Sequence, residues 1–141
     1  MVDVVRHEGL NLLHVHYAIP HASAAIQAKL ILETYGINIP IVTTLHGTDI
    51  TLLGKDKSFK PVIEYAINKS DAVTAVSDEL IKETLSHFKI NRNIEMIPNF
   101  IDSNLYSHLV DEKLRNKIAN NEEKILIHVS NFRKVKRVTD V

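Results

Sequence analysis

Apolar positions recur along this chain in two alternating rhythms. Short runs rich in apolar and β-branched residues occupy positions 12–16, 41–45, 72–76, 94–97 and 124–129. Their length and composition predict strands, because branched side chains suit a pleated, half-buried surface. Between them the apolar positions follow a helical spacing. Residues 20–35 place Ala24, Ala25, Ala28, Leu32 and Tyr35 along a helix, and Gly36 is placed to end it. Residues 60–68 predict a second helix, with Pro61 in the first turn, where no backbone N–H is needed. A third begins at Ser77-Asp78-Glu79, a capping hydroxyl and two acids at the positive end of the helix dipole, and runs to about Phe88. Pro98 stops the strand at 94–97, and the chain opens in what reads as the end of a helix at 2–7.

Strands that alternate with helices imply βαβ units, so the fold class is α/β with a parallel sheet and helices on both faces. Ligands of such sheets bind beyond the carboxyl ends of the strands. That rule marks three loops, at 17–21, 46–54 and 130–136. Positions 99–121 are polar, with one helical stretch near Leu114. The expected organisation is a first domain through residue 100, a connection at 101–121, and the start of a second domain at 122–141. The pattern reads as a helix cut at the first residues and another just begun at the last, so an internal fragment is expected.

Composition narrows the function classes. The chain has 141 residues, 45% apolar and 24% charged, which suits a globular domain with a core. Lys plus Arg and Asp plus Glu are both 17, so no basic excess points to nucleic acid. There is no cysteine, which excludes disulfides and thiolate metal sites and fits a cytoplasmic location. No apolar run approaches the roughly 18 residues of a membrane span, and the first ten residues lack the apolar core of a signal peptide.

Three segments carry chemistry. His14 and His16 share one strand face, followed by Tyr17 and His21 in a loop. Such a pair can bind a divalent metal, yet no carboxylate beyond Asp49 suggests itself to complete a ligand set. The alternative is a histidine hydrogen-bonded within the sheet. The second segment is His46-Gly47-Thr48-Asp49 at the end of the strand at 41–45. Gly47 permits close backbone approach or positive φ, and His46 can donate to a sugar hydroxyl or a leaving oxygen. The plainer reading is a turn in which Asp49 caps the next helix. The third, residues 130–137, holds four cations in five positions from Arg133 to Arg137. Just past a strand, these suit a diphosphate; alone they also suit a solvated basic face.

Residues 41–49, 71–77 and 97–102 resemble the GT-B glycosyltransferase family 4. Residues 13–21 and 128–137 are most similar to the branch that transfers N-acetylglucosamine from UDP-N-acetylglucosamine to L-malate, opening bacillithiol biosynthesis. The resemblance implies two Rossmann-like domains with the active site between them, residues 1–100 being the C-terminal part of the first. It implies retention of anomeric configuration, no cofactor and no metal, with cationic side chains holding the donor diphosphate. By that resemblance His46 is the active-site histidine near the donor sugar, and Gly47 and Thr48 line the same wall. Tyr17 lies by the malate, and His21 and Asp49 belong to the same acceptor and sugar region. Lys136 matches the lysine of the family's phosphate loop. Asn131 stands where that loop has arginine, and Arg133 follows two residues on. Phe100 replaces a glycine found in many relatives. The family's glycine-rich loop is expected before Met1 and its paired glutamates after Val141, so the 141 residues alone are expected to be inactive.

Other readings stay open at this level: a family 4 transferase with another donor or acceptor, a non-catalytic nucleotide-binding module, or a metal hydrolase. A homo-oligomer is left open as well.

Overall fold

The first run, Leu13–His16, forms strand β1 in a computed structural model that describes residues 1–52, 54, 56–106 and 111–140. Strands β2, Ile41–Leu45, β3, Ala72–Ala75, and β4, Ile94–Met96, follow. The helices are α1, Val2–Glu8, α2, Ser23–Glu33, α3, Lys60–Lys69, α4, Asp78–His87, and α5, Glu112–Ile118. Residues 53 and 55 of the second ligand loop, 107–110 of the expected connection, and 141 lie outside the described residues. The chain divides into two compact units, Met1–Phe100 and Ile101–Val141.

In the first unit the four strands are parallel and ordered β1-β2-β3-β4. Every crossover therefore steps in the same direction. Right-handed crossovers of that kind place α2, α3 and α4 on one face. The register sets Leu13, Val15, Ile41, Leu45, Val73, Ala75 and Ile94 on that face, where they join Ala25, Ile26, Leu32, Ile63, Ala66, Ile67 and Leu80 in one core. Leu32, Ile41, Leu45, Ile63 and Ile67 are fully buried, and each such side chain contributes roughly 1.5–3 kcal/mol. Thr43 lies among them without penalty: Ser70 Oγ donates to the Ala66 carbonyl and Thr43 Oγ1 donates to Ser70 Oγ.

The sheet is the expected parallel α/β arrangement, and within this unit α2, α3 and α4 pack on this face. The opposite face carries His14, His16, Val42, Thr44, Thr74 and Glu95. It is the polar side of the alternation, and its character matters for the site.

Local signals act where expected. Ser77 Oγ accepts from Leu80 N at 3.2 Å and caps α4, an interaction worth about 1 kcal/mol. Helix α2 ends in a Schellman motif: Ile37 N donates to the Leu32 carbonyl, Gly36 N donates to that of Glu33, and Gly36 takes φ 74°. Its start differs from expectation. Residues Ala18–Ala22 form a separate π-type turn, kinked at Ile19, before α2 begins. Ala24 and Tyr35, placed by spacing on the apolar side, are exposed; Ala22 and Ile26 are buried instead.

In the second unit Asp111 caps α5 through Leu114 N, and Arg115 gathers the carbonyls of Asn120 and Glu123 at 3.1 and 2.7 Å. Residues 124–129 do not form the expected strand, and Val129 is 89% exposed. A β-prone run becomes a strand only when a neighbour takes its N–H and C=O groups, and no described segment does so. The expected final helix is likewise two short 3₁₀ turns, Lys134–Lys136 and Val138–Asp140.

Candidate functional site

Two loops leave the carboxyl ends of β1 and β2 side by side. After His16 the chain turns at Tyr17, whose φ of 73° is rare for a residue with a bulky side chain. Tyr17 N still donates to the Thr44 carbonyl at 2.8 Å, and the Tyr17 carbonyl accepts from Ala22 N. His21 folds back and donates from Nδ1 to the His16 carbonyl at 2.7 Å, which fixes its tautomer. After His46 the second loop turns at Gly47, with φ 107°. A Cβ there would meet nothing within 4 Å, so the need for glycine is conformational. The Gly47 carbonyl accepts from Ile50 N and Thr51 N and starts the π-type turn Thr48–Leu52.

Asp49 joins the two loops. It is 1% exposed, and its Oδ2 accepts from Ala18 N at 2.7 Å. The sequence reading offered ligand contact or a helix cap for this residue; its Oδ2 ties down the backbone of the neighbouring loop. Oδ1 is buried without a hydrogen-bond partner. Burial pushes the carboxyl above its ordinary range, although the Ala18 N–H, the backbone dipoles of Asp49 and Gly47, and His46 favour the ionised form.

Imidazole and phenol rings line the junction. His16 Nδ1 and His46 Nε2 are 2.8 Å apart and share a hydrogen bond. The His14 and His16 rings lie 4.8 Å apart, those of His16 and His46 4.9 Å, and those of Tyr17 and His46 5.1 Å. Tyr17 and His21 are at 6.1 Å. His14 Nε2 contacts Thr44 Oγ1, which contacts Thr74 Oγ1, each at 2.8 Å. His14 is thus hydrogen-bonded to a sheet residue, as the plainer reading expected, but on an exposed face and not in the sheet interior. Among the described residues no three His, Asp or Glu side chains group as a metal-ligand set. His46 is held below its usual titration range, first by desolvation and then by the positive charge His16 can carry; Asp49 pulls the other way and His14 adds to the lowering.

Beside this cluster the bare sheet face forms a depression of about 260 Å³. His14, His16, Thr44 and His46 line one side, and Val76, Asn99 and Phe100 the other. Tyr17, His21, His46, Gly47, Thr48 and Asp49 therefore come together at two adjacent strand ends, with Thr48 exposed and Asp49 sealed beneath. Asn131, Arg133 and Lys136 belong to the second unit. There Ser130 Oγ accepts from Phe132 N at 3.1 Å, Arg137 pairs with Asp140, and Asn131, Arg133 and Lys136 are exposed. What sequence reasoning missed is the partnership of His16 with His46. The parallel register pairs His16 with Thr44, and alternation puts His46 on the same face two residues on. The signal was present in the spacing but needed the register to be read.

Comparison with known proteins gives this geometry a family. The family model described as Glycosyltransferase Family 4 matches residues 1–105. An N-acetyl-alpha-D-glucosaminyl L-malate synthase of Bacillus anthracis is 52% identical over the whole chain. The chain spans 36% of that relative's length. An uncharacterized glycosyltransferase of Methanocaldococcus jannaschii is 33% identical over 94 residues, 65% of this chain and 24% of its own length.

Proposed function

Because the chain belongs to glycosyltransferase family 4, we propose that the whole protein is a retaining transferase that moves N-acetylglucosamine from UDP-N-acetylglucosamine to L-malate. The observation that carries this reading is the ring cluster of Tyr17, His16 and His46 at the carboxyl ends of β1 and β2, in a chain 52% identical to a synthase of that product. His46 contacts the sugar or the leaving oxygen as a hydrogen-bond donor. A neutral imidazole suits that role, and its partial burial favours the neutral form. Tyr17 offers a ring edge and a hydroxyl to the acceptor, and Gly47 and Thr48 bring backbone and hydroxyl groups to the same wall. His21 steadies the loop through the His16 carbonyl.

In the reaction the bond between C1 of the sugar and the phosphate oxygen breaks. A bond from C1 to the malate hydroxyl oxygen forms on the same face, and the hydroxyl proton passes to the departing phosphate. No protein nucleophile is needed. Arg133 and Lys136 hold the diphosphate and offset its growing charge, with Asn131 at the same loop. The donor therefore needs no metal, and the reading places the reaction in the cytoplasm.

UDP release tests the proposal. The full-length protein should release UDP from UDP-N-acetylglucosamine only when L-malate is present, and the 141 residues alone should release none. Equal release with unrelated acceptors would favour a family 4 transferase with a different acceptor.

A further inference from the structure

The hydrogen bond between His16 and His46 has a consequence for which nitrogen does the chemistry. It joins Nδ1 of one ring to Nε2 of the other at 2.8 Å, with the rings tilted at 44°. His46 Nε2 is thereby occupied. We propose that His16 is a positioning residue: its Nδ1–H donates to His46 Nε2, so that neutral His46 carries its proton on Nδ1 and presents that N–H to the bound sugar nucleotide. This rests on the reading of His46 as a ligand-contacting residue.

Relative burial and the chemistry of the proposed ligand argue for this direction of the bond. His16 is exposed and His46 half-buried, so the ring better solvated to carry charge is the donor. The lone pair that accepts belongs to the ring whose ionisation burial disfavours. Finally, the ligand groups in question, hydroxyl and phosphate oxygens, are acceptors, and an Nδ1–H matches them. The titratable groups facing His46 are His16 and His14 from β1, Tyr17 from the loop after β1, and Asp49 from the turn after Gly47.

The proton count then predicts a coupled titration. One added proton can sit on His16 Nε2 while His16 Nδ1 still donates, so the bond survives. A second makes both facing nitrogens N–H donors, and the bond is lost. His46 is then released from its fixed orientation.

The test is a long-range proton–nitrogen NMR spectrum of the uniformly ¹⁵N-labelled chain, recorded from pH 5 to 8. The wild type should show His46 protonated at Nδ1 and bare at Nε2. His16→Ala should lose that preference and move the His46 midpoint upward, because a cationic neighbour has gone. His16→Asn, whose amide reaches the same place as Nδ1, should restore the tautomer, and it keeps the test valid should the alanine variant fold poorly. In the full-length protein His16→Ala should lower kcat on the order of 10- to 100-fold with little change in KM, and shift the acid limb of the pH profile. Finding His46 protonated at Nε2 in the wild type, or an unchanged tautomer in His16→Ala, overturns the proposal. Failure of the underlying reading looks different: the tautomer pattern stands, yet His46→Ala spares turnover.

Discussion

Tyr17 sits at φ 73°, ψ 136°, a conformation that costs on the order of 1–3 kcal/mol in a non-glycine residue. Its neighbours hold it there. Thr44 takes its N–H, and Asp49 takes the N–H of the next residue, Ala18. The strain therefore falls at the point where a ring must be aimed past the end of β1, and Asp49 is its fastening. Asp49→Ala leaves the Ala18 N–H buried and unpaired, and should destabilise the chain by roughly 1–3 kcal/mol. Asp49→Asn keeps an acceptor oxygen and should recover part of that loss. Urea unfolding of the three proteins measures both effects, and equal stability of Asp49→Ala and wild type would remove the fastening role. The segment His46-Gly47-Thr48-Asp49 was legible as a polar turn at a strand end because glycine and small polar residues directly follow a β-branched run. The fastening was not, because Ala18 lies 31 residues from Asp49 and nothing local in either stretch links them.

Among the elements, Asp71 is the tie that spacing did not reveal. It precedes β3, yet its Oδ2 accepts from Ile41 N at 2.8 Å, at the start of β2, and from Lys29 Nζ at 3.0 Å, on α2. One exposed carboxylate thus joins a helix and two strand starts. Burial alone would raise its titration range; the Ile41 N–H and the Lys29 ammonium together outweigh that, with Arg92 adding to them, and hold it below 3.8. The sign follows from linkage. Above the ordinary carboxylate range the ionised form is present in both states and the folded state favours it, so its contribution is complete. As pH falls below 3.8 the unfolded chain binds the proton first, and the contribution is lost as pH passes the lowered folded midpoint. Asp71→Asn should therefore flatten the acid side of the stability profile between pH 5 and 2, read by urea midpoints, while an unchanged slope would deny Asp71 a favoured ionised state. The elements themselves were largely readable. Strands β2 and β3 and helices α3 and α4 form where β-branching, Pro61 and the Ser77 cap placed them. The start of α2 was not, because the chain first kinks at Ile19 to seat Ala18 and Ala22 in the core.

At the scale of the molecule, alternating strands and helices made the parallel sheet legible, while the placement of all three crossover helices on one face required the strand order. That order also explains why the histidines face outward. They occupy the polar side of an alternation whose apolar side is filled by α2, α3 and α4. The run at 124–129 marks the limit of propensity, for Leu126 and Val129 remain exposed where no described strand takes their backbone. Among the described residues no helix is long and apolar enough to cross a membrane. We propose above all that His46 acts at the site of a sugar transfer. Its most direct test is the turnover of full-length His46→Ala with UDP-N-acetylglucosamine and L-malate, beside the wild type. A fall in kcat of order 10² or more, with UDP-sugar binding retained, is the predicted result; turnover equal to the wild type would contradict the account.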